Sequence, residues 1–257
     1  MNHSELKAFL DEKVSQYNHP RFIDSDPIQI PYRFSQKEDI EISAFFAATM
    51  AWGNRKMIIN KVNDLMNRMG NSPFDFLMDY SENKFEKIET FKHRTFNSVD
   101  LDFYLKSLQN IYKNHYGLEN SFQFKKEETD SFHAIERFRN LFLEVPHEIR
   151  SEKHLSSPAK NSAAKRLNMF LRWMARSDNQ SVDFGIWKNI SSSQLVCPLD
   201  VHSGNVGRKL GLLKRKQNDW KAASELNSSL KKFDAEDPVK YDFALFGLGV
   251  FEGFSKF

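Results

Sequence analysis

The chain has 257 residues, 40% of them hydrophobic with 24 Phe, and a net charge of only +3. That is ample apolar material for a self-supporting core, in one large domain or two small ones. A single cysteine excludes an internal disulfide and any all-cysteine zinc or iron–sulfur site within the chain, and no stretch approaches the roughly 18 apolar residues of a membrane span.

In chain order, Ser35-Gln36-Lys37-Glu38 reads as a capping box ahead of Ile40, Ile42, Phe45, Phe46 and Met50, so a buried helix is expected from Gln36 to about Trp52. Gly53 breaks it, Asn54 caps the next helix, and Ile58, Ile59, Val62, Leu65, Met66 and Met69 recur at helical spacing until Gly70. Ser72-Pro73 opens a short helix to Met78. Ser98 then caps Leu101, Tyr104, Leu105, Leu108, Ile111 and Tyr112. A further helix from about Asp130 to Leu143 puts Phe132, Ile135, Phe138, Leu141 and Phe142 on one face and stops before Pro146.

The polar run from His147 to Asn161 reads as a loop. From Ser162 to Arg176, Leu167, Phe170, Leu171 and Met174 form an apolar stripe, which leaves Lys165, Arg166, Arg172 and Arg176 for the surface. A helical turn around Phe184 to Asn189 follows. Asp200 starts a helix to about Leu210, Asn218 or Asp219 caps another to Lys232, and Asp237-Pro238 starts the last, through Leu248. No strand alternation persists and no repeat appears, so the fold class is all-α: an irregular helical bundle, as one unit over 1–257 or as two lobes, 36–146 and 1–35 plus 147–257.

The eight His show no i, i+4 pair and no compact cluster, so neither a metal nor another cofactor is expected. Met1-Asn2-His3-Ser4-Glu5 has no basic region leading into an apolar signal segment, which makes a cytoplasmic protein without membrane association the expectation. Charge is unevenly spread: Arg150 to Lys232 holds 16 Lys and Arg against 6 Asp and Glu, a local +10, and the remainder carries −7. The natural partner of such a stretch is a polyanion; the plainer reading is a solvated surface.

Chemistry centres on Pro198-Leu199-Asp200-Val201-His202. Asp200 is a strong N-cap, which accounts for it structurally. Its surroundings suggest more, because an apolar approach delivers the carboxylate to a helix start that is polar, small and basic on one face, as a phosphate backbone requires. This segment, continued by Asn205-Val206-Gly207-Arg208-Lys209-Leu210-Gly211-Leu212, resembles the V-D-T-H…R-V-x-x-R-L-G-L stretch of the helix-hairpin-helix DNA glycosylase superfamily. The helices from Trp220 and from Asp237 resemble that superfamily's closing helices in order and length.

The resemblance implies that Asp200 is the essential carboxylate. The nucleophilic lysine of the bifunctional members maps onto Lys165, 35 residues upstream, a spacing similar to the archaeal 8-oxoguanine glycosylases. Lys165 to Met174 together with Pro198 to His202 also resembles a conserved bacterial family of uncharacterised proteins. The Leu-Pro-Gly-x-Gly hairpin and the four iron–sulfur cysteines of other branches are absent. Backbone contacts are therefore expected from the loop His154 to Asn161, with Lys160, and from the helix starts carrying Arg166, His202, Ser203, Asn205 and Arg208.

Trp52-Gly53-Asn54-Arg55 stands where the superfamily places a junction that reaches into the duplex, so Trp52, Asn54 and Arg55 are candidate DNA contacts; alternatively Trp52 is core and Gly53 a helix stop. Trp173, Trp187 and Cys197 read as core. The implied function is a DNA repair glycosylase with abasic-site lyase activity, acting on a damaged base by base flipping and Schiff-base chemistry on lesion-bearing double-stranded DNA. Within that reading, the basic surroundings of Lys165, Arg166 and Lys160 among them, are expected to lower the amine's pKa. Two other readings keep the fold: a non-catalytic nucleic-acid-binding protein with Asp200 as a cap, and a helical interaction scaffold for acidic partners.

Overall fold

A computed structural model describes residues 1–254. The helices are α1 (His3–Tyr17), α2 (Lys37–Thr49), α3 (Arg55–Arg68), α4 (Pro73–Met78), α5 (Ser98–Asn114), α6 (Leu118–Ser121), α7 (Phe132–Phe142), α8 (Lys165–Ala175), α9 (Val201–Lys209), α10 (Trp220–Lys231) and α11 (Tyr241–Val250). The two strands, β1 (Lys92–His93) and β2 (Phe96–Asn97), pair antiparallel as a small hairpin with His93 opposite Phe96. The fold is all-α, an irregular bundle of short helices, and among the described residues no helix is long and apolar enough to cross a membrane. The chain divides into two compact units: unit I is 25–124 with 133–156, and unit II is 1–24 with 125–132 and the chain from 157 onward.

Unit I is built around α2, which is buried from Ile40 to Thr49 and is apolar on nearly every side, as a central helix must be. Phe45 meets Phe138 and Phe142 at ring separations of 5.7 Å, and Phe122 stacks on Phe138 at 4.0 Å. The capping box expected at Ser35 does not form: the helix starts at Lys37 behind Gln36, with no side-chain cap. Asp39, in its first turn, instead accepts the Phe74 N–H at 2.8 Å and ties the start of α4 to α2. Asn54 caps α3 as expected. The α5 cap lies one residue earlier than the sequence suggests, because Asn97 takes the Val99 and Asp100 N–H groups while the Asp100 carboxylate returns to the Asn97 N–H.

Unit II packs α8, α9, α10 and α11 with α1, a helix that hydropathy pattern leaves unread and that fully buries only Leu10. It is held on α11 by the Tyr241 hydroxyl, which donates to Asp11 at 2.9 Å, and by Tyr17 stacked on Phe251. Two sequence expectations fail around α8. Arg172 and Arg176 are 3% and 2% exposed rather than on the surface. The stretch from Phe184 to Asn189 is not a helical turn; its Phe184 and Trp187 N–H groups cap the C-terminal carbonyls of α8, Trp173 at 2.8 Å and Met174 at 2.9 Å. Trp173, Trp187 and Cys197 lie in the core as read.

Candidate functional site

The site lies in unit II and begins with an extended apolar segment. Leu195, Val196, Cys197 and Leu199 are all buried, and a buried segment outside helix and sheet needs partners for its backbone. Asn227 of α10 supplies them: its Oδ1 accepts the Cys197 N–H and its Nδ2 donates to the Leu195 carbonyl, both at 3.1 Å. Burial pushes the Cys197 thiol well above its ordinary range, so this cysteine is a packing group rather than a nucleophile.

The segment delivers Asp200 to the start of α9. Its Oδ1 accepts the His202 and Ser203 N–H groups at 2.8 and 3.0 Å, and the Ser203 hydroxyl accepts the Asp200 N–H at 2.9 Å. Asn218 donates to the Asp200 carbonyl at 3.1 Å. Backbone and one carboxylate oxygen are thus fixed, and the other oxygen, Oδ2, faces Lys165 Nζ at 3.8 Å. Both side chains keep about a quarter of their surface open, 27% for Lys165 and 26% for Asp200.

Lys165 is the first residue of α8, and the turn that presents it is strained. Ala164 is 1% exposed and sits in the left-handed region at φ 46°, a conformation that costs a residue with a side chain about 1 kcal/mol or more. The Ser162 hydroxyl accepts the Ala164 N–H at 3.2 Å. Asn168, 1% exposed one turn into α8, holds the same turn by donating to the Ala163 carbonyl at 3.2 Å and accepting from Ser131 at 2.6 Å. The amine and carboxylate therefore meet because two rigidly held helix starts face each other.

Behind the pair, α8 carries a buried ionic network. Asp183 bridges Arg172 at 3.2 Å and Arg176 at 2.9 Å; Arg176 also reaches Asp178 and Asp237, and Arg172 reaches Asp242 of α11. Burial pushes the Asp242 carboxyl up to about 6, against the pull of Arg172; Asp200 adds to the rise. The helix α11 approaches α9 closely at Gly249, where a Cβ would stand 3.0 Å from the Cβ of His202.

The other sequence candidates are placed as follows. Lys160 and His202 are exposed, and Arg166 and Asn205 are half-buried. Ser203 is 1% exposed with its hydroxyl spent on the Asp200 cap and the Pro198 carbonyl, so it is a cap partner rather than an open contact. Arg208 is likewise committed, donating to the Arg215 and Lys216 carbonyls at 2.8 Å and to Asn218 at 2.7 Å, which holds the asparagine that orients Asp200. Trp52, Asn54 and Arg55 belong to unit I: Asn54 caps α3, and Trp52 is half-buried between the rings of His93 and His154, 4.7 and 5.9 Å away.

Sequence reasoning missed Asn168 and Asn227 and read Asn218 only as a possible helix cap, not as one of the polar clamps of the site. Asn168 and Asn227 left a faint signal, a polar residue on the apolar stripe of a helix. Among the described residues no group of three His, Cys, Asp or Glu is placed to hold a metal ion. Neither the curated proteins nor the solved structures include a match to the chain. A family model does match over residues 26–251, nearly the whole length and both helix starts of the site included, and the chain belongs to that family, described as Protein of unknown function (DUF2400).

Proposed function

We propose that the protein is a DNA repair glycosylase with abasic-site lyase activity, using Lys165 as nucleophile and Asp200 as the catalytic carboxylate. The observation that carries this reading is the 3.8 Å separation of Lys165 Nζ from Asp200 Oδ2, with the other carboxylate oxygen anchored in the helix cap. After base flipping, the neutral Lys165 amine attacks C1′ of the damaged nucleotide. The N–C1′ bond forms as the glycosidic bond breaks, and the base leaves with the bonding pair and takes up a proton. The ionised Asp200 stabilises the positive charge developing on the sugar and then accepts one proton from the ammonium that the attack creates on Lys165. The nitrogen lone pair then forms the C1′=N bond as the C1′–O4′ bond breaks, O4′ takes up a proton, and the sugar ring opens to a protonated Schiff base. Removal of a C2′ proton then expels the 3′ phosphate and nicks the strand.

A second reading, Asp200 as a cap alone, is favoured by the saturated hydrogen bonding of its Oδ1 and backbone. Asp200→Asn separates the two, since asparagine caps as well as aspartate but carries no charge. The enzyme reading predicts that both Lys165→Ala and Asp200→Asn abolish strand nicking on duplexes carrying oxidised or abasic sites while both variants melt near wild type. Nicking at the wild-type rate in either variant overturns it.

A further inference from the structure

Unit I carries a cationic surface assembled from three segments that are far apart in sequence. The turn at 52–56, the β1–β2 hairpin and the turn at 150–154 meet around Trp52: its ring contacts His93 and His154, and Arg150 donates to the Thr95 carbonyl at 3.2 Å. Six cations lie on these segments: Arg55, Lys56, Lys92, Arg94, Arg150 and Lys153. Arg150 is neutralised by the buried Asp100 at 2.9 Å, but among the described residues no carboxylate pairs with Lys56, Lys92, Arg94 or Lys153, all exposed. Unit I as a whole has 16 Lys and Arg against 17 Asp and Glu, so this is a local concentration within a nearly neutral body.

Two of these cations stand where folding alone disfavours them. Arg94 is the first residue of a two-residue hairpin turn and has φ 54°, a position that glycine fills at least cost. Its guanidinium folds back over Gly53, whose own φ is 107° and where an added Cβ would lie 2.5 Å from Arg94 Nη1. The absence of a side chain at Gly53 leaves room for the arginine head. Lys56 is in the first turn of α3, a 14-residue helix with no acidic residue in that turn. Cations there oppose the helix macrodipole, and a bound anion would reverse the sign of that interaction. Local rules broken at two positions on these meeting segments, both in favour of positive charge, are what a binding surface for a polyanion looks like.

We propose that this face of unit I is a nucleic-acid backbone site, in which Arg94 and Lys56 contact phosphates of duplex DNA. The inference rests on the lyase reading for the identity of the nucleic acid. A phosphate backbone fits better than an acidic protein because the cations lie on separate short segments around a planar aromatic ring, with the α3 N-terminus adding backbone donors suited to phosphate oxygens.

The test is binding of the full chain to a labelled duplex with one abasic site, across a salt series, for wild type and the Arg94→Gly/Lys56→Glu variant. Each lost phosphate contact lowers the slope of log affinity against log salt by about 0.9, and the double variant is expected to bind about 10- to 60-fold more weakly at 0.1 M salt. Its melting temperature is expected to equal or exceed that of wild type, because glycine relaxes the turn and glutamate suits the helix start. A slope and affinity unchanged from wild type overturn the proposal. So do a fall in melting temperature accompanying the loss, which assigns the two cations to folding, and equal affinity of wild type for polyglutamate of matched charge. Borohydride trapping of Lys165 in the same samples keeps the two proposals apart. A Lys165-dependent adduct with an unchanged salt slope sinks only this inference, and a reduced slope without any adduct sinks only the lyase reading.

Discussion

The two ends of α8 carry ion pairs of opposite character. At its C-terminal end Arg172 and the cap residue Arg176 are buried and saturated, sharing Asp183 and reaching three more carboxylates. At its first residue Lys165 meets Asp200 at 3.8 Å, with both groups a quarter open. A buried, fully partnered network fixes helices in place, and removing one member strands charge in the core. A half-open pair contributes little to stability and leaves an amine and a carboxylate oxygen facing solvent. The contrast teaches that charge alone does not mark a site; spare valence at a fixed position does.

Arg176 carries the largest expected effect. Arg176→Ala is expected to cost about 3–5 kcal/mol in denaturant unfolding by leaving the buried Asp183 short of a partner; a loss below about 1 kcal/mol would mean the network is no firmer than the open pair. Next in size, Asn227→Ala removes both hydrogen bonds to the buried 195–197 segment and should cost about 1–3 kcal/mol, while loosening Asp200 enough to slow nicking.

The pH response sharpens the contrast further. With its carboxyl pushed up to about 6, Asp242 keeps a proton in the native state that an unfolded carboxyl, titrating near about 3.9, has already released. The stability linked to Asp242 is therefore whole below the unfolded value and is lost as pH rises through about 6. Stability measured from pH 4 to 7 should carry a downward contribution that Asp242→Asn removes. Smallest in stability is Lys165→Ala, expected within about 0.5 kcal/mol of wild type by the same unfolding assay.

Much of this fold is legible in the sequence where local rules act alone. The N-caps at Asn54, Asp200 and Asp219 follow from residue type at a helix boundary, and the α8 stripe of Leu167, Phe170, Leu171 and Met174 follows from its period. The burial of Arg172 and Arg176 does not, because it depends on Asp183, Asp237 and Asp242 arriving from other segments. The non-helical course of 184–189 is hidden for a similar reason: its backbone N–H groups are recruited by the open carbonyls of α8. In the candidate site the carboxylate was visible as a cap and the lysine by its spacing within a resemblance, whereas the asparagines that aim them are long-range contacts. The cationic face of unit I escaped a sliding view of charge altogether, since its members come from three separated stretches.

The central claim is that Lys165 is a nucleophile held against Asp200. Borohydride reduction of the full chain on abasic duplex DNA, followed by peptide mapping of the cross-link, tests it most directly. The account predicts a covalent adduct on the peptide carrying Lys165, absent from Lys165→Ala and strongly reduced in Asp200→Asn. An adduct on another lysine, or none under conditions where the DNA is bound, would contradict it.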